Sequence, residues 1–152
     1  MKDWISIRKS TTEDAKSITE FNIAMAMETE QKKLSRDRIE PGVKALFNHP
    51  EYGFYLVAES EHEIIGSLMV TKEWSDWRNG LFWWIQSVYV IPEFRRQGVY
   101  RAMYKEVKKL ADQAGNISGF RLYVEKENEI AQKTYRSLGM DETHYKLFEE
   151  IN

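Results

Sequence analysis

The sequence predicts one α/β (α+β) domain over residues 1–152. Three observations carry that reading. Apolar residues recur with period two in some segments and near 3.6 in others, in the order β-α-α-β-β-β-α-β-α-β. Turn residues punctuate the segments at short intervals, with no repeat, linker or low-complexity stretch. Hydrophobic residues make up 42% of 152, enough to build one core.

The elements follow in order. Residues 4–8 (WISIR) alternate apolar and polar and read as the first strand. Thr11 and Asp14 have capping-box spacing, so a helix starts there, with Ala15, Ile18, Phe21, Ala24 and Met25 on one face. Residues 28–38 are polar and charged, a helix end plus a loop. Pro41 suits the first position of a short second helix with Val43, Leu46 and Phe47 inward. His49–Gly53 breaks the chain. Residues 54–59 and 63–72 make a β-hairpin around Ser60, Glu61 and His62. Residues 74–80 (WSDWRNG) form a connection with a turn signal at Asn79-Gly80. A long apolar strand spans 81–91, and a helix spans 99–114, ended by Gly115-Asn116. A strand at 120–125, a helix at 128–138 with Gly139 at its end, and a strand at 144–149 complete the domain.

Composition excludes several classes. The net charge of −2 gives no global basic field, so no nucleic-acid partner is expected. The absence of cysteine rules out disulfides, thiolate catalysis and a thioacyl-cysteine intermediate. The first residues, MKDWISIRKS, lack a signal-peptide core, and no run approaches the ~20 apolar residues that a membrane span needs. A cytoplasmic protein without a membrane partner is the expectation. The surplus is aromatic: five Trp, eight Tyr and seven Phe, enough to line a pocket as well as a core, and enough to admit a homodimer.

Chemistry concentrates in residues 85–104, IQSVYVIPEFRRQGVYRAMY. A strand ends, a turn forms at Pro92-Glu93, and a basic loop with Gly98 leads straight into a helix. That order holds phosphate for physical reasons. A helix N-terminus offers unpaired N–H groups and the positive end of its dipole. Gly98 lets backbone approach an anion, and Arg95, Arg96 and Arg101 add charge.

Arg95-Arg96-Gln97-Gly98-Val99-Tyr100 resembles the R/Q-x-x-G-x-G/A acyl-CoA pyrophosphate loop of the GNAT (GCN5-related) N-acetyltransferases. Tyr100 departs from the small residue that ends that motif, though it still supplies an N–H. Residues 121–124 (RLYV) resemble the family's next strand. Residues 128–140 (NEIAQKTYRSLGM) resemble its N-x-x-A-x-x-x-Y-x-x-x-G-F segment. The resemblance implies the GNAT fold: a mixed, mostly antiparallel central sheet, splayed at the acyl-CoA site and flanked by helices on both faces. It also implies acetyl-CoA as co-substrate and no metal.

Residue roles follow from the same resemblance. Tyr135 is the general acid for the leaving thiolate, or else a core tyrosine beside Ala131 and Leu138. Asn128 caps its helix and contacts the CoA arm, near Ala131. Gln86 stands where related enzymes carry a basic Glu, and Gln orients rather than accepts a proton. Glu28 and Glu30 are alternative carboxylates for the acceptor side, or plain surface charge. Backbone of Ser87, Val88, Tyr89 and Val90 pairs with pantetheine, and a backbone N–H at Val88 polarises the thioester carbonyl. Arg95 to Arg101 take the pyrophosphate.

The loop bearing Trp74, Asp76 and Trp77 fits a cationic amine through ring faces and a carboxylate, or else packs as a dimer contact. The layout is loosely nearest the spermidine/spermine acetyltransferase-like branch. Acetyl transfer to a primary amine of a small molecule, polyamine or amino-acid-like, is the expected activity. Protein lysine or N-terminal amines are alternative acceptors, and a non-catalytic acyl-CoA-binding sensor or interaction module is the competing class.

Overall fold

The computed structural model describes residues 4–152. They fall into two compact units, the first ending at Leu122 and the second spanning Tyr123–Asn152.

The first unit is built on a five-stranded sheet in the order β1-β2-β3-β4-β5. The strands are β1 (Ile5–Lys9), β2 (Gly53–Ser60), β3 (Glu63–Ser75), β4 (Gly80–Val90) and β5 (Ile117–Arg121). The first three pairings are antiparallel, and β5 joins β4 in parallel. Helices α1 (Ala15–Glu30) and α2 (Arg36–Asn48) pack on each other and on one face. There Ala15, Ile18, Val43, Leu46, Tyr55 and Val57 form a core cluster. Strand side chains alternate between faces, so Leu56 and Ala58, both fully buried, point the other way. Helix α3 (Val99–Ala114) covers that side, with Val99, Met103, Val107 and Ala111 buried along one stripe.

Local chemistry explains the joints. The capping-box carboxylate is present: Asp14 accepts from the Thr11 N–H at 2.8 Å. It also takes both ends of the Arg8 guanidinium, at 2.8 and 3.1 Å. Burial works against the Asp14 charge, but Arg8 and the Thr11 N–H outweigh it and hold the carboxyl below its usual range. Buried Thr19 and Asn22 turn their polar atoms back to the helix, donating to the Ala15 and Ile18 carbonyls. Glu61 and His62, both at positive φ, make the two-residue turn between β2 and β3.

Several boundaries differ from expectation. Helix α2 begins at Arg36, so Pro41 lies inside it rather than at its start. The Ser35 carbonyl accepts from Arg38 and Ile39, and Arg36 pairs with Glu20 of α1 at 2.6 Å, which extends the helix backwards. Strand β3 runs on to Ser75 because β4 pairs with it rung by rung from Gly80. Strand β5 occupies 117–121 rather than 120–125, since its ladder with β4 starts directly after the left-handed Gly115.

The second unit holds one helix, α4 (Glu129–Ser137). Residues 144–149 form no strand, contrary to expectation. The alternating pattern is there, but no ladder partner is present among the described residues, and Tyr145, Leu147 and Phe148 are exposed.

Candidate functional site

The site grows from an irregularity in β4. Ser67 pairs with Tyr89 and Met69 with Gln86, so one residue of β3 faces two of β4, Ser87 and Val88. This is a β-bulge, with Ser87 at φ 52° in left-handed backbone. The extra residue changes the phase of the strand. Ile85 is buried in the sheet, whereas Tyr89, of the same parity, lies against Phe21 of α1 with ring centroids 5.2 Å apart. The ladder to β5 ends nearby, at Trp84–Arg121. From Ile85 to Val90 the outer edge of β4 therefore has no strand partner among the described residues. A ligand that presents amides can lie along this edge as an added strand would, beside the Val90 carbonyl that a side chain already occupies.

The strand feeds the anion loop. After one 3₁₀ turn at Pro92–Phe94, Arg96 (φ 62°) and Gly98 (φ 80°) take left-handed conformations, and Gly98 is the N-cap of α3. The first intrahelical bond there is Ala102 N–H to the Gly98 carbonyl, at 3.0 Å. The N–H groups of Val99, Tyr100 and Arg101 precede it, as an anion site requires. Gln97 steadies the loop by donating to the Glu93 carbonyl at 3.0 Å. The Tyr100 ring stacks back on Tyr104, centroids 6.3 Å apart, so its bulk runs along the helix. The Arg96 and Arg101 side chains make no ion pair or hydrogen bond within the described residues. These donors fit a diphosphate.

Arg95 is engaged elsewhere. Its Nε donates to the Val90 carbonyl at 2.8 Å and its Nη2 to Glu28 Oε2 at 2.8 Å. Its guanidinium stands 5.3 Å from the Tyr89 ring centroid. The Tyr89 hydroxyl donates to Glu28 Oε1 at 3.2 Å. Burial first, and the Glu28 charge next, push the Tyr89 phenol up, which keeps it a donor. Glu28 thus belongs to the loop end of β4. Glu30, the last residue of α1, is exposed and joins nothing there.

Gln86 donates to Thr71 Oγ1 at 2.6 Å across the β3–β4 ladder. Two rungs on, Glu73 accepts from Trp84 Nε1 at 2.8 Å and pairs with Arg121 at 2.9 Å. Thr71 and Glu73 were not singled out from sequence. Their signal is a pair of polar residues two positions apart, on the face of β3 that Gln86 shares across the ladder.

The Trp-bearing segment lies at the other end of β4. Trp74 is on β3 opposite Leu81, and Asp76 and Trp77 sit in the hairpin loop, Trp77 being 88% exposed. Ten residues of strand, roughly 30 Å at ~3.3 Å each, separate that loop from Val90. The structure does not bring Trp74, Asp76 or Trp77 together with the bulge.

In the second unit, Asn128 caps α4, its side chain accepting from Ala131 N–H at 3.1 Å. That bond occupies the Ala131 N–H. Burial pushes the Tyr135 phenol up, so it stays protonated at neutral pH.

No helix among the described residues is long and apolar enough to cross a membrane. The family model described as "Acetyltransferase (GNAT) family" matches residues 15–140. A solved structure described as a possible acetyltransferase from Clostridium difficile 630 is 44% identical, covers 99% of each chain and gives a TM-score of 0.91. A ribosomal-protein-alanine N-acetyltransferase from Brucella melitensis biovar Abortus 2308 is 13% identical, covering 97% of this chain and 99% of that one, with a TM-score of 0.78. The aminoglycoside N-acetyltransferase AAC(6')-Iy in complex with CoA is 18% identical, covering 97% and 94%, with a TM-score of 0.73. The last two share the fold. A search of curated proteins gave no match.

Proposed function

The chain belongs to the GNAT acetyltransferase family, which makes it an acyltransferase, and on that premise we propose that residues 1–152 act as one domain moving an acetyl group to a primary amine of a small molecule, polyamine or amino-acid-like. One observation carries the reading. A single strand, β4, combines a bulge, an open edge and an anion-binding loop at one end. Acetyl-CoA, which the family uses, supplies the acetyl group already activated as a thioester.

The chain's own groups then have four tasks. Backbone N–H groups of Val99, Tyr100 and Arg101, with the side chains of Arg96 and Arg101, hold the diphosphate. The edge of residues 87–90 pairs with pantetheine, and the Val88 N–H steadies the oxyanion that forms when the amine attacks directly. Glu28 takes the proton of the incoming ammonium through water, and Gln86 orients the amine. Tyr135 gives its proton to the departing thiolate. Charge and atoms balance: ammonium and thioester become amide, thiol and one released proton.

The test is calorimetry with acetyl-CoA, followed by thiol release with spermidine, L-lysine, glucosamine and a lysine peptide. Binding with turnover of a small amine is the expected result. Turnover of the peptide alone would move the acceptor to proteins. Binding without any turnover would favour a sensor.

A further inference from the structure

We propose that Arg95, although it opens the acyl-CoA loop motif, is not a phosphate ligand but the residue that positions Glu28 for the acceptor amine. The proposal rests on the reading above, in which Glu28 receives the proton of the amine.

The geometry is specific. The Arg95 guanidinium uses Nε on the Val90 carbonyl and Nη2 on Glu28, both at 2.8 Å. These two bonds turn the group toward α1 and along the Tyr89 ring. Tyr89 closes the arrangement by donating to the other Glu28 oxygen at 3.2 Å. Each Glu28 oxygen therefore has one fixed donor, which leaves the remaining lone pairs for a water or an amine. Glu28 sits near the end of α1, where a lone carboxylate on a flexible stem would sample many rotamers. A planar cation anchored to a strand carbonyl, together with a phenol on the same strand, holds it in one place. Tyr89 faces α1 only because the bulge at Ser87 and Val88 shifts the phase of β4. The same irregularity that opens the acyl edge thus delivers the second donor to Glu28.

The contrast within the loop supports the assignment. The Arg96 and Arg101 side chains have no ion pair or hydrogen bond among the described residues, while Arg95 directs Nε and Nη2 to the Val90 carbonyl and Glu28. Diphosphate charge falls to the former pair.

The experiment compares wild type with R95Q, R95K, E28Q and the R95Q/E28Q double variant. Acetyl-CoA affinity is read by calorimetry. Steady-state kinetics use whichever of the four amines above the wild type turns over fastest. We expect R95Q to keep its acetyl-CoA Kd within about twofold, while kcat/KM for the amine falls about tenfold or more. E28Q should show the same split, the double variant should be no worse than E28Q, and R95K should recover part of the loss through charge alone. An R95Q acetyl-CoA Kd weakened tenfold would make Arg95 a phosphate ligand and overturn the assignment. Additive losses, or unchanged amine kinetics in R95Q, would overturn it as well. Failure of the wild type itself to bind acetyl-CoA would instead overturn the function, so the two failures are distinguishable.

Discussion

The two ends of β4 differ in kind. At Gly80 the strand enters a regular hairpin, paired rung by rung from Thr71–Trp84 to Ser75–Gly80, with Trp77 standing out into solvent. At Val90 regularity fails: a bulge, a ladder to β5 that stops at Trp84, and left-handed backbone at Ser87, Arg96 and Gly98. The hairpin end is the more conspicuous in the sequence, with two Trp in seven residues. Yet regular pairing consumes backbone donors along the hairpin, whereas the irregular end interrupts the ladder and leads into the first turn of a helix, whose N–H groups have no intrahelical acceptor. Each non-glycine residue in left-handed backbone costs on the order of 1–3 kcal/mol. The core beneath, with Leu56, Ile65, Leu68 and Val70 fully buried, offsets that cost.

The largest expected effect tests the irregular end. Gly98→Glu places a carboxylate in the diphosphate cradle and a side chain at φ 80°. Acetyl-CoA affinity should fall about 100-fold or more by calorimetry, as repulsion adds to lost approach. Gly98→Ala keeps the conformational strain, on the order of 1 kcal/mol, without the carboxylate, and should lose less affinity than Gly98→Glu. Unchanged affinity in Gly98→Glu would remove the diphosphate from this end of β4.

Tyr135→Phe sharpens the comparison by separating side-chain chemistry from backbone binding. We expect kcat to fall about 10²–10⁴-fold with acetyl-CoA Kd unchanged. Because burial raises the phenol above its ordinary value of 10.0, the loss of this acid belongs to an alkaline limb above pH 10. A limb near neutrality that disappears in the Phe variant would contradict this. Full activity in Tyr135→Phe would leave the thiolate to take its proton from water.

How much of this was legible depends on how far apart the determining residues lie. The turn into α3 is legible because its conformation is local: Gly98 supplies the positive φ, and the helix pattern starts at the next residue. The cap at Asn128 was readable for the same reason. For Arg95 the sequence offers its place at the head of the loop motif and its charge, whereas its pairing with Glu28 spans 67 residues and is visible only in the fold. The start of α2 escaped because the Arg36–Glu20 pair joins two helices. The apolar pattern puts strand β5 later than the structure does, because its position is set by its ladder with β4, not by its own pattern. Residues 144–149 show the converse: a strand pattern without a partner is not a strand.

The bulge itself can be broken more gently. Ser87→Val puts a β-branched residue at φ 52°, a conformation it resists by on the order of 1–2 kcal/mol. If the bulge presents the Val88 N–H, kcat should drop about tenfold while thermal stability falls by a similar free energy. Ser87→Gly should relieve the strain and keep activity. Equal activity of the Val and Gly variants would mean that the oxyanion is held elsewhere.

The smallest effect belongs to the regular end. Trp77 is 88% exposed in the hairpin loop, so Trp77→Ala should alter stability by no more than about 0.5 kcal/mol in a thermal melt. Acetyl-CoA affinity should be unchanged, because roughly 30 Å of strand separates the loop from Val90. Two other results would give this end a role of its own. A tenfold rise in the KM of the amine would make the Trp face part of a long acceptor's path. A drop in mass from dimer to monomer by light scattering would make it a contact between copies. Either would mean that exposed aromatics on a regular hairpin do through side chains what the other end of the same strand does through backbone.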